Sequence, residues 1–132
     1  MKAISPSHRE LESISEGRTR LFLVRHGELT TSHEWRYVGH MDVEMTDMGV
    51  EQIKKVGIRM MREKIDLILS SDLKRSSHSA RIIGDMIGLK PVQVREFREI
   101  NIGRWEGMTR EEIIKNFKEQ FETRLLNLAE FR

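Results

Sequence analysis

The apolar positions follow two periods that alternate along the chain. Leu21-Phe22-Leu23-Val24 is an unbroken apolar run between arginines. A run without alternation predicts a strand covered on both faces. Asp66 to Leu69 predicts a second buried strand, ending at Ser70-Ser71, and Val92 and Val94 predict a short third one. Between and after them the spacing becomes helical. Thr46 reads as an N-cap ahead of a stripe made by Val50, Ile53, Gly57, Met60 and Met61. Leu73, Ala80, Ile83 and Ile87 form a second stripe, with Gly88 as its stop. Thr109 and Glu112 have capping-box spacing and open a third stripe of Ile113, Phe117, Phe121, Leu125 and Leu128. Strand and helix in alternation predict an α/β fold with a largely parallel sheet.

Two stretches carry neither period. Residues 1–18 are polar and predict a flexible lead-in, which leaves 19–132 as one domain. Residues 27–45 hold glycines, hydroxyls, His33, Trp35, Tyr37 and His40. Irregular loops of this length in compact domains are often functional.

Composition narrows the class. The 132 residues are 38% hydrophobic and 33% charged, which excludes a disordered tail or a collagen-like fibre. The apolar runs fall far short of the ~20 residues a bilayer needs, so no membrane partner is expected. The absence of cysteine excludes disulfides and thiolate metal sites. The 23 Lys and Arg are interspersed with 21 Asp and Glu for a net charge of +2, so no nucleic-acid partner is expected either. Met1 to Arg20 has no apolar signal region, and a cytoplasmic location is the expectation.

Chemistry is expected beyond the carboxyl ends of the strands, where open α/β sheets collect ligands. Arg25-His26-Gly27 follows the first strand, and Ser70-Ser71-Asp72-Leu73-Lys74-Arg75 follows the second. Guanidinium forks match phosphate oxygens, and a neutral imidazole is a nucleophile near neutral pH. Gly27 permits close backbone approach. Taken alone, each short motif also fits a purely structural role.

Together, the stretches LFLVRHG, GHMDVEMTDMG, SSDLKRSSHSA and EINIGRWEG resemble the histidine phosphatase superfamily, which includes the cofactor-dependent phosphoglycerate mutases. The resemblance implies a three-layer α/β/α fold and a metal-independent phosphohistidine reaction with no cofactor. It assigns His26 as the nucleophile, Arg25 and Arg75 as the phosphate clamp, and Glu99 as the acid and base. That last task favours a raised carboxyl pKa, with burial near Trp105 as its expected source. Gly27, Glu28, Ser32, Gly39 and His40 are candidates for substrate contact, and for His33 and His40 plain loop solvation is the alternative. Leu29 and Ser32 depart from the family pattern, standing where it has a small hydroxyl and an asparagine. His78 replaces a frequent glutamine and is expected to have no catalytic weight.

The stretch from Tyr37 to Asp42 is similar to that of small bacterial phosphatases, α-ribazole phosphatases among them. Hydrolysis of a small phosphorylated metabolite is therefore the leading expectation. Mutase-type transfer and a non-catalytic relative that keeps the phosphate pocket are the alternatives. The family's second pocket histidine, on a later strand, has no counterpart here. The first strand is accordingly expected to have an open edge, with either a homodimer or element swap covering it or a longer parent chain.

Overall fold

The computed structural model describes residues 19–126. The expectations for residues 1–18, for the Leu125 side chain and for Leu128 fall outside them. Among the described residues there are three α-helices: α1 (Asp47–Met60), α2 (Lys74–Ile87) and α3 (Arg110–Leu126). Strand β1 (Leu69–Ser70) pairs in parallel with β2 (Val92–Gln93), Leu69 opposite Val92. Flanking bonds from Val92 N–H to Ile68 O and from Val94 N–H to Ser70 O extend the pairing. The α/β class and the parallel register agree with the sequence pattern.

Helices α1 and α3 begin as their sequences dictate. Thr46 Oγ1 accepts the Gly49 N–H at 3.0 Å, a cap of the kind that contributes ~1 kcal/mol. Thr109 and Glu112 form the reciprocal capping box, at 2.8 and 3.2 Å. Helix α2 ends on Gly88 in the left-handed conformation. Its start differs: Leu73 offers no side-chain cap, and Asp42 of the long loop accepts the Lys74 N–H at 2.7 Å. In α3, Phe117 departs from helical angles and kinks the expected straight stripe.

Among the described residues, most of the buried hydrophobic side chains gather in two clusters. Leu29, Val43 and Met45 of the long loop pack with Ile53 of α1 and Ile83 of α2. Trp105, Ile113 and Phe121 form the second cluster. Ile53 and Ile113 are fully buried, worth ~1.5–3 kcal/mol each by transfer from water. Residues 27–45 thus supply core as well as surface. A bridge between Leu29 and Met45 and a bond from Thr30 N–H to Glu44 O join the loop's two arms.

The expected first strand is not formed. Residues 21–24 adopt no strand, and Leu21 and Leu23 are 75% and 88% exposed. A strand is stabilised by pairing, and the only strands among the described residues are β1 and β2, which pair with each other. Phe22 instead lies beneath the Arg20 guanidinium, 4.9 Å from its ring centroid. No helix among the described residues is long and apolar enough to cross a membrane.

Candidate active site

His26 lies at the end of the 21–26 segment, where Gly27 and Glu28 dock on the start of α1. A Cβ on Gly27 would overlap the Gly49 carbonyl, so two glycine backbones meet directly. The freedom expected of Gly27 for approach to a ligand is used here for approach to α1. Glu28 completes the docking. Its N–H donates to Gln52 Oε1, its carbonyl accepts from Thr46 N–H, and its carboxylate accepts from Thr46 Oγ1.

The His26 ring is half-buried, and its Nδ1 is 2.8 Å from the Gly27 carbonyl. A carbonyl can only accept, so the proton sits on Nδ1 and Nε2 keeps its lone pair. Burial is the main cause that holds the ring's pKa below the ordinary 6.5. The Gly27 bond opposes it, the charges of Arg75 and Arg25 add to it, and Glu99 opposes it again. Residues 25, 26, 75 and 99 are therefore near enough for their charges to bear on one imidazole.

Arg75 lies in the first turn of α2 and is only 3% exposed. Its Nη1 donates to Met41 O at 2.8 Å and its Nη2 to Gly39 O at 2.6 Å. The carboxylates of Glu99, Asp42 and Glu106 surround it and favour its charge against the cost of burial. Gly39 is buried with φ +41°, and a Cβ there would meet Glu106 Oε1 and Ile102 Cγ1 at 2.6 Å. The tight turn that presents its carbonyl to Arg75 requires glycine.

The remaining candidates divide. Arg25 is exposed beside His26. The Ser32 hydroxyl accepts the Leu29 N–H at 3.0 Å and so serves the loop's own turn. Leu29 is a core residue, which explains an apolar side chain at that position. His40 donates from Nε2 to the Glu99 carbonyl at 2.7 Å, and its N–H donates to Glu106. His33 is exposed next to Glu34, and His78 is exposed on α2.

Glu99 corrects one expectation: it is exposed, while Trp105 is buried with Ile113 and Phe121, so the expected burial of the carboxyl against that ring is absent. Its Oε1 accepts the Ile100 N–H at 3.0 Å. Among the described residues, no three His, Asp or Glu side chains gather where they could hold a metal ion.

Three contributors escaped the sequence reading. Asp42 caps α2, Glu106 braces residues 39–40, and Arg98 forks onto Asp72 at 2.6 and 2.5 Å. Their partners are 26 to 66 positions away, beyond any local pattern. A capping or pairing rule written for neighbours cannot find them.

A family model described as histidine phosphatase superfamily (branch 1) matches residues 21–132. Phosphoglycerate mutase-like protein 4 of Arabidopsis thaliana is 38% identical over 97 residues, 72% of this chain and 42% of that protein. Phosphoserine phosphatase 1 of Hydrogenobacter thermophilus is 34% identical over 102 residues, 77% of this chain and 48% of that protein. Among solved structures, the alpha-ribazole phosphatase from Shigella flexneri superposes with a TM-score of 0.73 at 25% identity, covering 81% of this chain and 53% of that one. The chain spans about half the length of the relatives it matches.

Proposed function

The chain belongs to the histidine phosphatase superfamily, and on that premise we propose that it is a phosphomonoester hydrolase working through phospho-His26. The observation that carries this reading is the state of the ring. Nδ1–H is tied to Gly27, the ring is kept neutral by burial, and the free Nε2 lies in the combined field of Arg25 and Arg75.

In the first half-reaction the Nε2 lone pair attacks phosphorus. The bond to the ester oxygen breaks, and the Glu99 carboxyl gives that oxygen its proton. In the second, water attacks phosphorus while its proton passes to Glu99. The P–N bond breaks, and the electron pair returns to Nε2. Arg25 and Arg75 offset the charge that builds on the phosphoryl oxygens. Arg75 serves this role with the N–H groups its carbonyl partners leave over, since the guanidinium has five.

The exposure of Glu99 supports hydrolysis over return of the phosphoryl group to a substrate, because water reaches that carboxylate freely. A small phosphorylated metabolite is the substrate class we infer. The likeness to an alpha-ribazole phosphatase and a phosphoserine phosphatase supports it, and a cytoplasmic setting suits it. For partners we extend the proposal to self-association, a second copy covering exposed Leu21 and Leu23.

The test is p-nitrophenyl phosphate turnover, with and without EDTA, by the wild type and His26→Ala. Metal-independent turnover that disappears in the variant, together with an acid-labile phosphoprotein trapped by rapid quench, is expected. Turnover that survives His26→Ala, or a wild type with none, overturns the reading.

A further inference from the structure

Glu99 has little local support. It lies between two short 3-10 turns, Arg95–Phe97 and Gly103–Trp105, outside every helix and strand. Its carboxylate is bonded to the N–H of its own neighbour, Ile100. Resting on the hydrolase reading above, we propose that His40 and the Asp72–Arg98 pair are positioning residues that hold Glu99 in register with Arg75.

The contacts close into a ring. Arg98, adjacent to Glu99, grips Asp72 with a two-bond fork at 2.6 and 2.5 Å. Asp72 stands three residues before Arg75 on the turn that enters α2. Arg75 holds the carbonyls of Gly39 and Met41, the residues on either side of His40. His40 then reaches back from Nε2 to the Glu99 carbonyl at 2.7 Å. The Glu99 backbone cannot shift far relative to Arg75 without straining one of these links, and the Ile100 N–H ties the carboxylate to that backbone.

The chemistry of the links makes the ring a fixed brace. The Arg98 fork holds the Asp72 carboxyl below the usual carboxylate range, so Asp72 keeps its charge. The Glu99 carbonyl can only accept, so His40 Nε2 bears hydrogen, and both the neutral tautomer and the imidazolium satisfy that bond. Glu106, accepting the His40 N–H at 2.6 Å, steadies the loop from the far side.

Positioning matters because proton transfer needs heavy atoms within ~2.6–3.2 Å, and a misplacement of ~1 Å can cost ~10²-fold. This separates a brace from general support. An alkoxide needs the proton that Glu99 supplies, whereas p-nitrophenolate departs without one.

First-turnover rates by rapid quench on glycerol 2-phosphate and on p-nitrophenyl phosphate provide the test. His40→Leu and Asp72→Ala are expected to slow the alkyl ester by ~10²-fold, while the aryl ester changes by a few-fold. Glu99→Gln should show the same selectivity. His40→Gln, which keeps an N–H donor at similar reach, and the exchange of Asp72→Arg with Arg98→Asp should each restore the alkyl rate. Equal losses on both esters, or no loss on either, overturn the inference.

A wild type without His26-dependent turnover overturns the hydrolase reading instead. The brace is then read by NMR at the Ile100 amide, which reports the Glu99 carboxylate. His40→Leu and Asp72→Ala should both shift that resonance, and an unmoved amide in either variant overturns the placement.

Discussion

Arg75→Met removes the guanidinium of a residue that is only 3% exposed and leaves the carbonyls of Gly39 and Met41 without their donor. Each buried acceptor so orphaned costs ~1–3 kcal/mol. The carboxylates of Glu99, Asp42 and Glu106 also lose the cation they surround. Methionine recovers part of the packing of the side-chain stem, so the net loss should be ~2–5 kcal/mol. For a chain of this size that corresponds to a fall in Tm of roughly 6–20 °C. Arg75→Lys keeps the charge but offers one point donor in place of a fork, and it should lie between the two. Urea and thermal unfolding followed by circular dichroism, with and without orthophosphate, would check both variants. Orthophosphate should raise the wild-type Tm through preferential binding to the folded state, and should do nothing for Arg75→Met. A methionine variant within ~0.5 kcal/mol of wild type would refute the structural strut. One still stabilised by phosphate would refute the clamp.

Burial lowers the His26 pKa below 6.5 in the folded chain, so the unfolded chain takes up this proton first as pH falls. Its contribution to stability is whole above 6.5 and is lost as pH falls through the folded value. The acidic limb of kcat/KM, which requires the neutral ring, should therefore lie below pH 6.5, and a limb at or above it would contradict the burial of the ring. Leu23→Asp changes a residue that is 88% exposed, so the free chain should lose no more than ~0.5 kcal/mol of stability. Light scattering should show the wild type self-associating with rising concentration and Leu23→Asp remaining monomeric, while a wild type monomeric throughout would overturn self-association.

Local rules succeeded where the energetics are local. The Thr46 cap, the Thr109 and Glu112 capping box and the Gly88 stop are contacts between near neighbours, and each appears as its motif predicts. The helix stripes also led to Ile53, Ile83 and Ile113 as buried residues, because helical periodicity puts every third or fourth side chain on one face. Residues 21–24 show the limit. An unbroken apolar run states that burial is favourable, but a strand exists only where another strand supplies its hydrogen bonds.

The candidate site divides along the same boundary. His26, Arg25 and Arg75 are candidates by residue type and by their place after the expected strands, while Glu99 and the role of each residue came only with the resemblance carried by the longer motifs. What those groups can do depended on the folded backbone around them and on tertiary contacts. The Gly27 carbonyl selects which ring nitrogen of His26 is free, and two loop carbonyls take up part of the Arg75 fork. Ser32 is committed to a turn, and Glu99 is exposed. The tautomer is set by the fold of the backbone next to His26, while burial and brace arise between segments distant along the chain, so the amino-acid order determined which groups are present and the packed fold decided their state.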